Sequence, residues 1–442
     1  MLGGINQAIE NESRSEAREI RQQLTLLPWF LIGFGPAVFG LATWTDPDPT
    51  EQVGRAVRLL GLPLCLVELG FLFFAVRAGW RPVRQVKNLP LVTRLLLLAI
   101  VGLAFLSAGL APNPSGSLVW TYLTFLQLLF GFAVAWVVAN ANVRTRDRIW
   151  PAIAVGCLLY AAMVAAFAIS PHSKGFDWQY FGLAVANVRQ IGFYMMVGSL
   201  AAIGCSLNSR SRLMICWTIA ATLMMTLSFW TGSRGAAIAA IGAIILATIA
   251  IPRLRSLKTT GLAFLPIPAG ALLSIPLPRP IGVFGLTRIV DSMRASTPDA
   301  VSGFRLRMWN SAWHAFLQRP WIGYGEGQFG ILAPQPQAVY LHPHNVILQV
   351  LVQWGAVGLG LVLALVAIAV IRVRGTLQAP VRAEVITAFL VCVGLAVFSL
   401  YDGALFHTYP VMMFAFALAF LVAIPTTAPE VDKTLRSGAI TS

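Results

Sequence analysis

The sequence predicts an all-α, polytopic membrane protein with about twelve transmembrane helices. Hydrophobic residues make up 57% of its 442 residues and charged residues only 11%, a balance that excludes a soluble domain of this size. Apolar runs of about eighteen residues or more recur along the whole length. In lipid such runs must be helical, because the backbone has to satisfy its own hydrogen bonds within the segment.

Twelve apolar runs, separated by polar or basic loops, account for the predicted spans. The five cysteines fall in or beside these runs and lack metal-ligand spacing. The runs lie at residues 26–44, 57–76, 91–111, 118–140, 149–170, 180–205, 213–230, 236–251, 261–277, 346–371, 384–401 and 409–425.

Basic residues collect in alternate short loops, which sets the expected orientation. The other set of short loops holds only Lys174 and Arg234, although Arg55 and Arg58 open the second span. Because Lys and Arg favour the cytoplasmic side, both termini are expected in the cytoplasm. The same rule accounts for the formal net charge of +15, so a nucleic-acid partner is not expected. The basic set comprises Arg77, Arg81, Arg84, Lys87, Arg94, Arg144, Arg146, Arg148, Arg210, Arg212, Arg253, Arg255, Lys258, Arg372, Arg374 and Arg382.

One connection, residues 278–345, is far longer than the others and lies on the outer side of the predicted topology. Loops of this length are usually functional or disordered. The stretch GFRLRMWNSAWHAFLQRPWIG has the spacing of an amphipathic, partly interfacial helix, and the glycine-rich sequence after it predicts a tight loop. The chain is therefore divided into an N-terminal bundle of nine helices (1–277), the outer loop with its short helices (278–345), and three C-terminal helices with a cytoplasmic tail (346–442).

Arginines and histidines gather on this outer side. Guanidinium groups are permanently charged and match phosphate oxygens, while histidine exchanges protons near neutral pH. They indicate an anionic, lipid-linked ligand such as a polyprenyl diphosphate sugar, whose leaving group the arginines would stabilise. The outer acidic residues are scattered, so neither a metal ion nor another cofactor is expected. The candidate residues are Arg189, Arg234, Arg288, Arg305, Arg307, His342, His344 and Asn345.

Each candidate also has a structural interpretation. Arg234 could snorkel from a helix end, whereas Arg189 falls inside a predicted apolar run, where a charge is more often functional. Arg305 and Arg307 could form the solvated face of an amphipathic helix. In the sequence HPHN, the first histidine could shape a turn, and the last two residues could cap the following helix.

Three stretches occur in a fixed order along the second half of the chain. TGSRGA contains Arg234; RLRMWNSAWHAFLQRPWIGYGEGQF contains Arg305 followed by Trp309; and HPHNVILQVLVQWGAVGLG places Gly355 ten residues after Asn345. In this combination, with a long outer loop between the first and last, the chain resembles the O-antigen ligase and polymerase superfamily.

The resemblance implies a GT-C-like membrane glycosyltransferase that needs no metal. It would transfer O-antigen polysaccharide with inversion from undecaprenyl diphosphate to a sugar hydroxyl of lipid A core, on the periplasmic face of the bacterial inner membrane. His344 would be the catalytic base, with Arg234 and Arg305 as the other catalytic residues, and His342 remains an alternative base. The residues left for substrate binding are Arg189, Arg307, Arg288, His342 and Asn345.

Other functions stay open from the sequence. An O-antigen polymerase or a protein O-oligosaccharyltransferase of the same superfamily would share this core and differ in acceptor. A transporter of lipid-linked oligosaccharide belongs to another class, but transporters place binding groups near the bilayer midplane, often in repeated halves. Here the polar groups cluster on one face and no repeat is evident, so glycosyl transfer is favoured.

Overall fold

A computed structural model describes residues 32–35, 37, 38, 40, 61–173, 176, 178, 185, 188–287, 302, 304–333, 341–378 and 381–424. Helices joined by short loops make up this part of the chain. Numbered in chain order, they are α1 (Leu62–Arg77), α2 (Pro82–Lys87), α3 (Leu91–Gly109), α4 (Pro114–Asn140), α5 (Val143–Ile169), α6 (Val188–Asn208), α7 (Ser211–Trp230), α8 (Arg234–Ala250), α9 (Leu257–Phe264), α10 (Pro266–Ser274), α11 (Arg305–Gln318), α12 (Phe329–Leu332), α13 (Val346–Gln378), α14 (Ala383–Ser399) and α15 (Thr408–Ala423).

The helices confirm a polytopic membrane protein. Seven described helical segments are long and apolar enough to cross a membrane, and three shorter apolar helices accompany them. A helix overlaps every predicted span from the second to the twelfth, with α9 and α10 together covering the ninth. The first predicted span, 26–44, lies largely outside the described residues, so the total of twelve stays a prediction.

Local sequence rules define several helix starts. The Asn113 side chain accepts a hydrogen bond from the Gly116 amide at the start of α4, and Pro114 occupies the first turn, where its missing N–H costs nothing. Asn142 caps α5 in the same way through the Thr145 amide at 2.8 Å. These caps satisfy donors that would otherwise be left without partners at the membrane boundary.

Helix α6 lies at the centre of the bundle. Of its most apolar window 89% is buried, against 22% for α3 and 11% for α13, so α6 is enclosed by protein while α3 and α13 present most of their surface outward. Small residues allow the close packing that membrane helices depend on. A Cβ at Gly198 would lie 2.4 Å from both Cys157 of α5 and Met224 of α7, and one at Gly204 would lie 2.2 Å from Thr387 of α14.

The amphipathic helix predicted in the long outer connection is confirmed as α11. Its Met308, Ala312 and Ala315 recur at helical spacing and are buried, whereas Trp313 on another face is 46% exposed. The buried stripe packs against the beginning of α13, which brings the start of α11 close to the start of α13.

A break in α13 joins the second and third sequence motifs. Gly355 has φ 65° and ψ −166° within the helix, a conformation that side chains disfavour. The carbonyls of Val352 and Gln353 there accept backbone hydrogen bonds from Tyr324 and Gly325, at 2.8 and 2.9 Å. The glycine-rich stretch predicted as a tight loop therefore packs directly against the broken helix and fixes α11 beside it.

Candidate active site

Three side chains from separate parts of the chain form a hydrogen-bonded triad. Asp402, in the loop after α14, places one carboxylate oxygen 2.8 Å from Nδ1 of His344 and the other 3.1 Å from Nη2 of Arg305. The side chains of all three are 22% exposed. The triad is therefore partly shielded by protein and still open to a ligand on one side.

The triad fixes the tautomer of neutral His344. A carboxylate can only accept, so the Nδ1 that faces Asp402 carries the hydrogen and the lone pair resides on Nε2. Burial would raise the pKa of the Asp402 carboxyl, but the hydrogen bond from His344 and the positive charges of His344 and Arg305 outweigh it. They hold the pKa of Asp402 well below its usual range, so this carboxylate is ionised at neutral pH.

Arg305 is held rigidly at the first position of α11. Its Nε donates to the Tyr401 carbonyl at 2.7 Å and its Nη1 to the Ser302 carbonyl at 2.9 Å, in addition to the bond to Asp402. Three protein acceptors therefore already bond all three nitrogens of the guanidinium. Arg305 fixes Asp402, and its charge is balanced mainly by that carboxylate.

The HPHN turn presents His344 through a strained backbone. His344 has φ 54°, in the left-handed region that residues with side chains rarely adopt. Asn345 accepts from the Leu348 amide at 3.0 Å, which caps α13, and donates to the Leu400 carbonyl at 2.7 Å. Both ends of the Asn345 amide thus hold the turn in place, and its role in this geometry is to position His344.

His342 is buried, and its ring accepts a hydrogen bond within the turn. Its Nδ1 accepts from the His344 amide at 3.3 Å, and its ring lies 4.7 Å from Phe406. Burial lowers the pKa of His342 well below its ordinary value, and repulsion from His344 and His407 adds to the effect. His342 therefore stays neutral with its ring enclosed, which favours His344 over His342 as the residue that exchanges protons.

The TGSRGA motif places Arg234 next to the triad. The Tyr401 hydroxyl donates to the Gly235 carbonyl at 2.6 Å, so the residue before Asp402 bonds the residue after Arg234. Arg305 and Arg189 lie near enough to Arg234 for mutual repulsion of their charges. In the described part of the chain the half-buried Arg234 guanidinium has no hydrogen-bonded partner.

Arg189 lies at a helix end, although the sequence placed it inside an apolar run. It is the second residue of α6 and is exposed. Arg234 is the first residue of α8, and Gly192 of α6 approaches Ser233 so closely that a Cβ would lie 2.4 Å from its hydroxyl. Two adjacent helix N-termini, each carrying an arginine, combine amide dipoles and charge into a position suited to an anion.

Two predicted substrate-binding arginines lie apart from this group. Arg307 is exposed on α11, with its guanidinium carbon 5.8 Å from the Phe304 ring centroid. Arg288 lies outside the described residues. Among those that are described, no group of three or more His, Cys, Asp or Glu side chains could hold a metal ion.

Asp402 is the residue of the candidate site that sequence reasoning did not single out. It lies 58 positions after His344, and scattered acidic residues gave no reason to pair the two. The available signal was topological, because YDGALFHT was predicted as an outer loop, on the same side as His344. The same loop contributes His407, whose ring lies 3.1 Å from Gln190 of α6 and whose pKa burial lowers to about 4.

Comparison with known proteins matches the part of the chain that carries the three motifs. Residues 219–363 match the family model described as O-antigen ligase. The matched segment contains all three sequence motifs, with Arg234, Arg305 and His344, while Arg189 and Asp402 lie outside it. No curated protein matches the chain. The chain is therefore similar to the O-antigen ligase family over the segment that carries the three motifs.

Proposed function

We propose that this chain is a metal-independent, inverting glycosyltransferase. It transfers O-antigen polysaccharide from undecaprenyl diphosphate to a sugar hydroxyl of lipid A core during lipopolysaccharide assembly. The observation that carries the proposal is the His344–Asp402 pair beside a group of arginines at one end of the bundle. The pair supplies a base for a hydroxyl, and the arginines supply positive charge for a diphosphate.

His344 acts as the general base in this mechanism. Its Nε2 takes the proton of the acceptor hydroxyl while the hydroxyl oxygen bonds to the anomeric carbon of the donor. The bond from that carbon to the diphosphate oxygen breaks, and its electron pair leaves with undecaprenyl diphosphate. Attack from the face opposite the leaving group inverts the anomeric configuration, and Asp402 stabilises the imidazolium that forms.

Arg234 and Arg189 bind the diphosphate. They lie at the N-terminal ends of α8 and α6, where helix dipoles also favour negative charge. Among the described residues Arg234 has no hydrogen-bonded partner to give up when a phosphate arrives, so the diphosphate gains a hydrogen-bonded charge at little cost. Arg305 remains bonded to Asp402 and keeps the base oriented.

The proposed setting is the bacterial inner membrane, with both termini cytoplasmic and the site on the periplasmic face. The triad and the arginines all lie in predicted outer loops or at helix ends next to them. Both substrates are lipids, so they would reach the site from the membrane. In the proposed division, the bundle (1–277) contributes Arg234, the loop (278–345) contributes Arg305 and His344, and the C-terminal helices (346–442) contribute Asp402.

The test is transfer by purified protein in lipid nanodiscs with EDTA present. Undecaprenyl-diphosphate-linked O-antigen and lipid A core are supplied, and the new linkage is examined by NMR for its anomeric configuration. Wild type should form an inverted linkage, and His344→Ala should lose about 10²- to 10⁴-fold in rate. The matched control is His314→Ala, an exposed histidine of α11, which should retain wild-type activity.

The same assay separates the alternatives by acceptor. Chain growth on the lipid-linked donor alone would indicate a polymerase, and transfer to a protein hydroxyl would indicate a protein O-oligosaccharyltransferase. Movement of the lipid-linked donor across the bilayer without any bond formation would refute glycosyl transfer. Loss of wild-type activity in EDTA, restored by a divalent cation, would refute the metal-independent mechanism.

A further inference from the structure

A cavity of about 120 Å³ with a mixed polar and apolar lining lies between α4, the start of α13 and the loop before α15. A buried water needs only about 10–15 Å³ of such space, so the cavity accommodates a much larger group. The polar and indole side chains of its lining are Trp120, Thr124, Gln127, Glu326, Gln349, Gln353, Trp354 and Thr408.

Two residues of the cavity lining each have a buried polar atom without a hydrogen-bond partner among the described residues. Glu326 is 5% exposed; one carboxyl oxygen accepts from Thr124 at 2.5 Å, and the other is unpartnered. The indole N–H of Trp354, a residue 9% exposed, is also unpartnered. Buried polar atoms in native proteins are nearly always bonded. A ligand in the cavity would therefore lie beside two residues that each keep one unpartnered polar atom, an acceptor on Glu326 and a donor on Trp354.

The lining selects against phosphate and for a neutral hydroxylated ligand. None of the residues that line the cavity is basic, and the Glu326 carboxyl would repel a phosphate when ionised. Glutamine amides and the Thr124 hydroxyl can both donate to and accept from hydroxyl groups. Trp120 and Phe406, with ring centroids 4.6 Å apart, add apolar faces. Hydrogen-bonding groups beside aromatic faces fit a sugar ring, which is polar at its edge and apolar on its face.

The cavity also lies next to the proposed base and apart from the proposed diphosphate position. Val346, two residues after His344, lines it, and Phe406 of its wall contacts the ring of His342. The arginines proposed to hold the diphosphate belong to α6 and α8, and neither helix contributes to the lining. A sugar in the cavity would thus be held by different helices from those that hold the leaving group.

We propose that this cavity is a subsite for a neutral sugar unit of the acceptor, with Glu326 and Trp354 as its specificity-determining residues. The proposal rests on the glycosyltransferase function proposed above. The subsite holds a unit next to the reacting one, so its loss should raise the acceptor KM and leave kcat largely intact.

The experiment pairs binding with turnover for two single variants. Glu326→Gln removes the carboxylate, and Trp354→Phe removes the indole N–H while keeping an aromatic face. The probe is delipidated core oligosaccharide, observed by saturation-transfer NMR with the full-length protein in nanodiscs. Each variant should weaken probe binding and raise the acceptor KM by about 10-fold, as expected for one buried hydrogen bond, with the donor KM unchanged. The control is Glu384→Gln, a buried carboxylate at the start of α14, away from the cavity.

The outcomes separate this proposal from the proposed function. Wild-type probe binding and acceptor KM in both variants, with active protein, would refute the subsite and leave the glycosyltransferase intact. If the wild type binds the probe but transfers nothing, and both variants lose probe binding, the sugar site would be supported and the proposed glycosyltransferase function would be refuted. The melting temperatures of Glu326→Gln and Trp354→Phe are compared with that of Glu384→Gln. Equal values would exclude unfolding as the cause of lost probe binding.

Discussion

The triad makes Asp402→Asn the most informative single change. Asparagine has the shape of aspartate but carries no charge and has only one accepting atom. If its amide nitrogen faces Arg305, two donors oppose each other at the position of the present 3.1 Å bond. If the nitrogen faces His344, it donates to Nδ1, and the ring hydrogen moves to Nε2, where the lone pair is needed. Either orientation harms the base.

The size of the effect follows from the lost charge. At about 4 Å and an effective dielectric constant of about 20, a carboxylate and an imidazolium attract by about 4 kcal/mol. Both side chains are 22% exposed, and screening by solvent reduces the attraction to about 2 to 3 kcal/mol. Because each 1.36 kcal/mol changes a rate tenfold, kcat should fall by about 10²-fold.

The assay is steady-state transfer in nanodiscs with donor and acceptor varied separately. Asp402→Asn should lower kcat with little change in the donor KM, because the diphosphate is held by other residues. Asp147→Asn, at an exposed aspartate of α5, is the matched control. Wild-type kcat in Asp402→Asn, at an unchanged melting temperature, would show that His344 does not depend on this carboxylate and would refute the assignment of the pair.

Three further changes test other parts of the structure. His342→Asn keeps an acceptor two residues before the His344 amide, as in an Asx turn, so kcat should stay within about tenfold of wild type, whereas loss of about 10²-fold or more would make His342 the base. Gly355→Ala should lower stability by about 1 to 3 kcal/mol in thermal melts, because its φ of 65° disfavours a side chain; Gly360→Ala, with open space around its Cα, should not. Burial raises the pKa of the Glu326 carboxyl from 4.5 to about 7, so the folded state keeps this proton at pH values where the unfolded state has lost it. The proton stabilises the folded state fully below pH 4.5, and this stabilisation, about 3 kcal/mol in all, is lost as pH rises through 7. Glu326→Gln should therefore flatten that dependence of melting temperature on pH.

The fold was largely predictable because each span depends on local composition. An apolar run long enough to cross lipid has no alternative to a helix, so α3 to α7 appear where hydropathy places them. The prediction of α11 relied on local periodicity in the same way. The break at Gly355 was not predictable, because it depends on the approach of the Gly323 loop, where a Cβ would lie 2.5 Å from the Gln353 backbone.

The site was predictable only in part, because residue types are local and partnerships are not. Arginine and histidine are costly to place in a membrane protein and therefore point to a site, and that reasoning singled out Arg234, Arg305 and His344, which the structure brings close together. The pairing of His344 with Asp402 joins loops 58 residues apart, and no spacing rule encodes it. Asn345 was predicted to bind substrate, and the structure adds that its amide bonds the Leu400 carbonyl and the Leu348 amide, which hold the turn.

Charge balance assigns different tasks to the two central arginines. With neutral His344, the charges of Asp402 and Arg305 cancel. Arg234 and the nearby Arg189 carry two positive charges, the number of negative charges on a sugar diphosphate diester. During reaction the leaving group gains one negative charge while His344 gains one positive charge, so the total charge of the site does not change. Arg234→Gln should therefore raise the donor KM, with a loss of about 10- to 10²-fold in kcat/KM, whereas Arg305→Gln should lower kcat. An equal effect of both changes on the donor KM would show that Arg305 also binds the diphosphate.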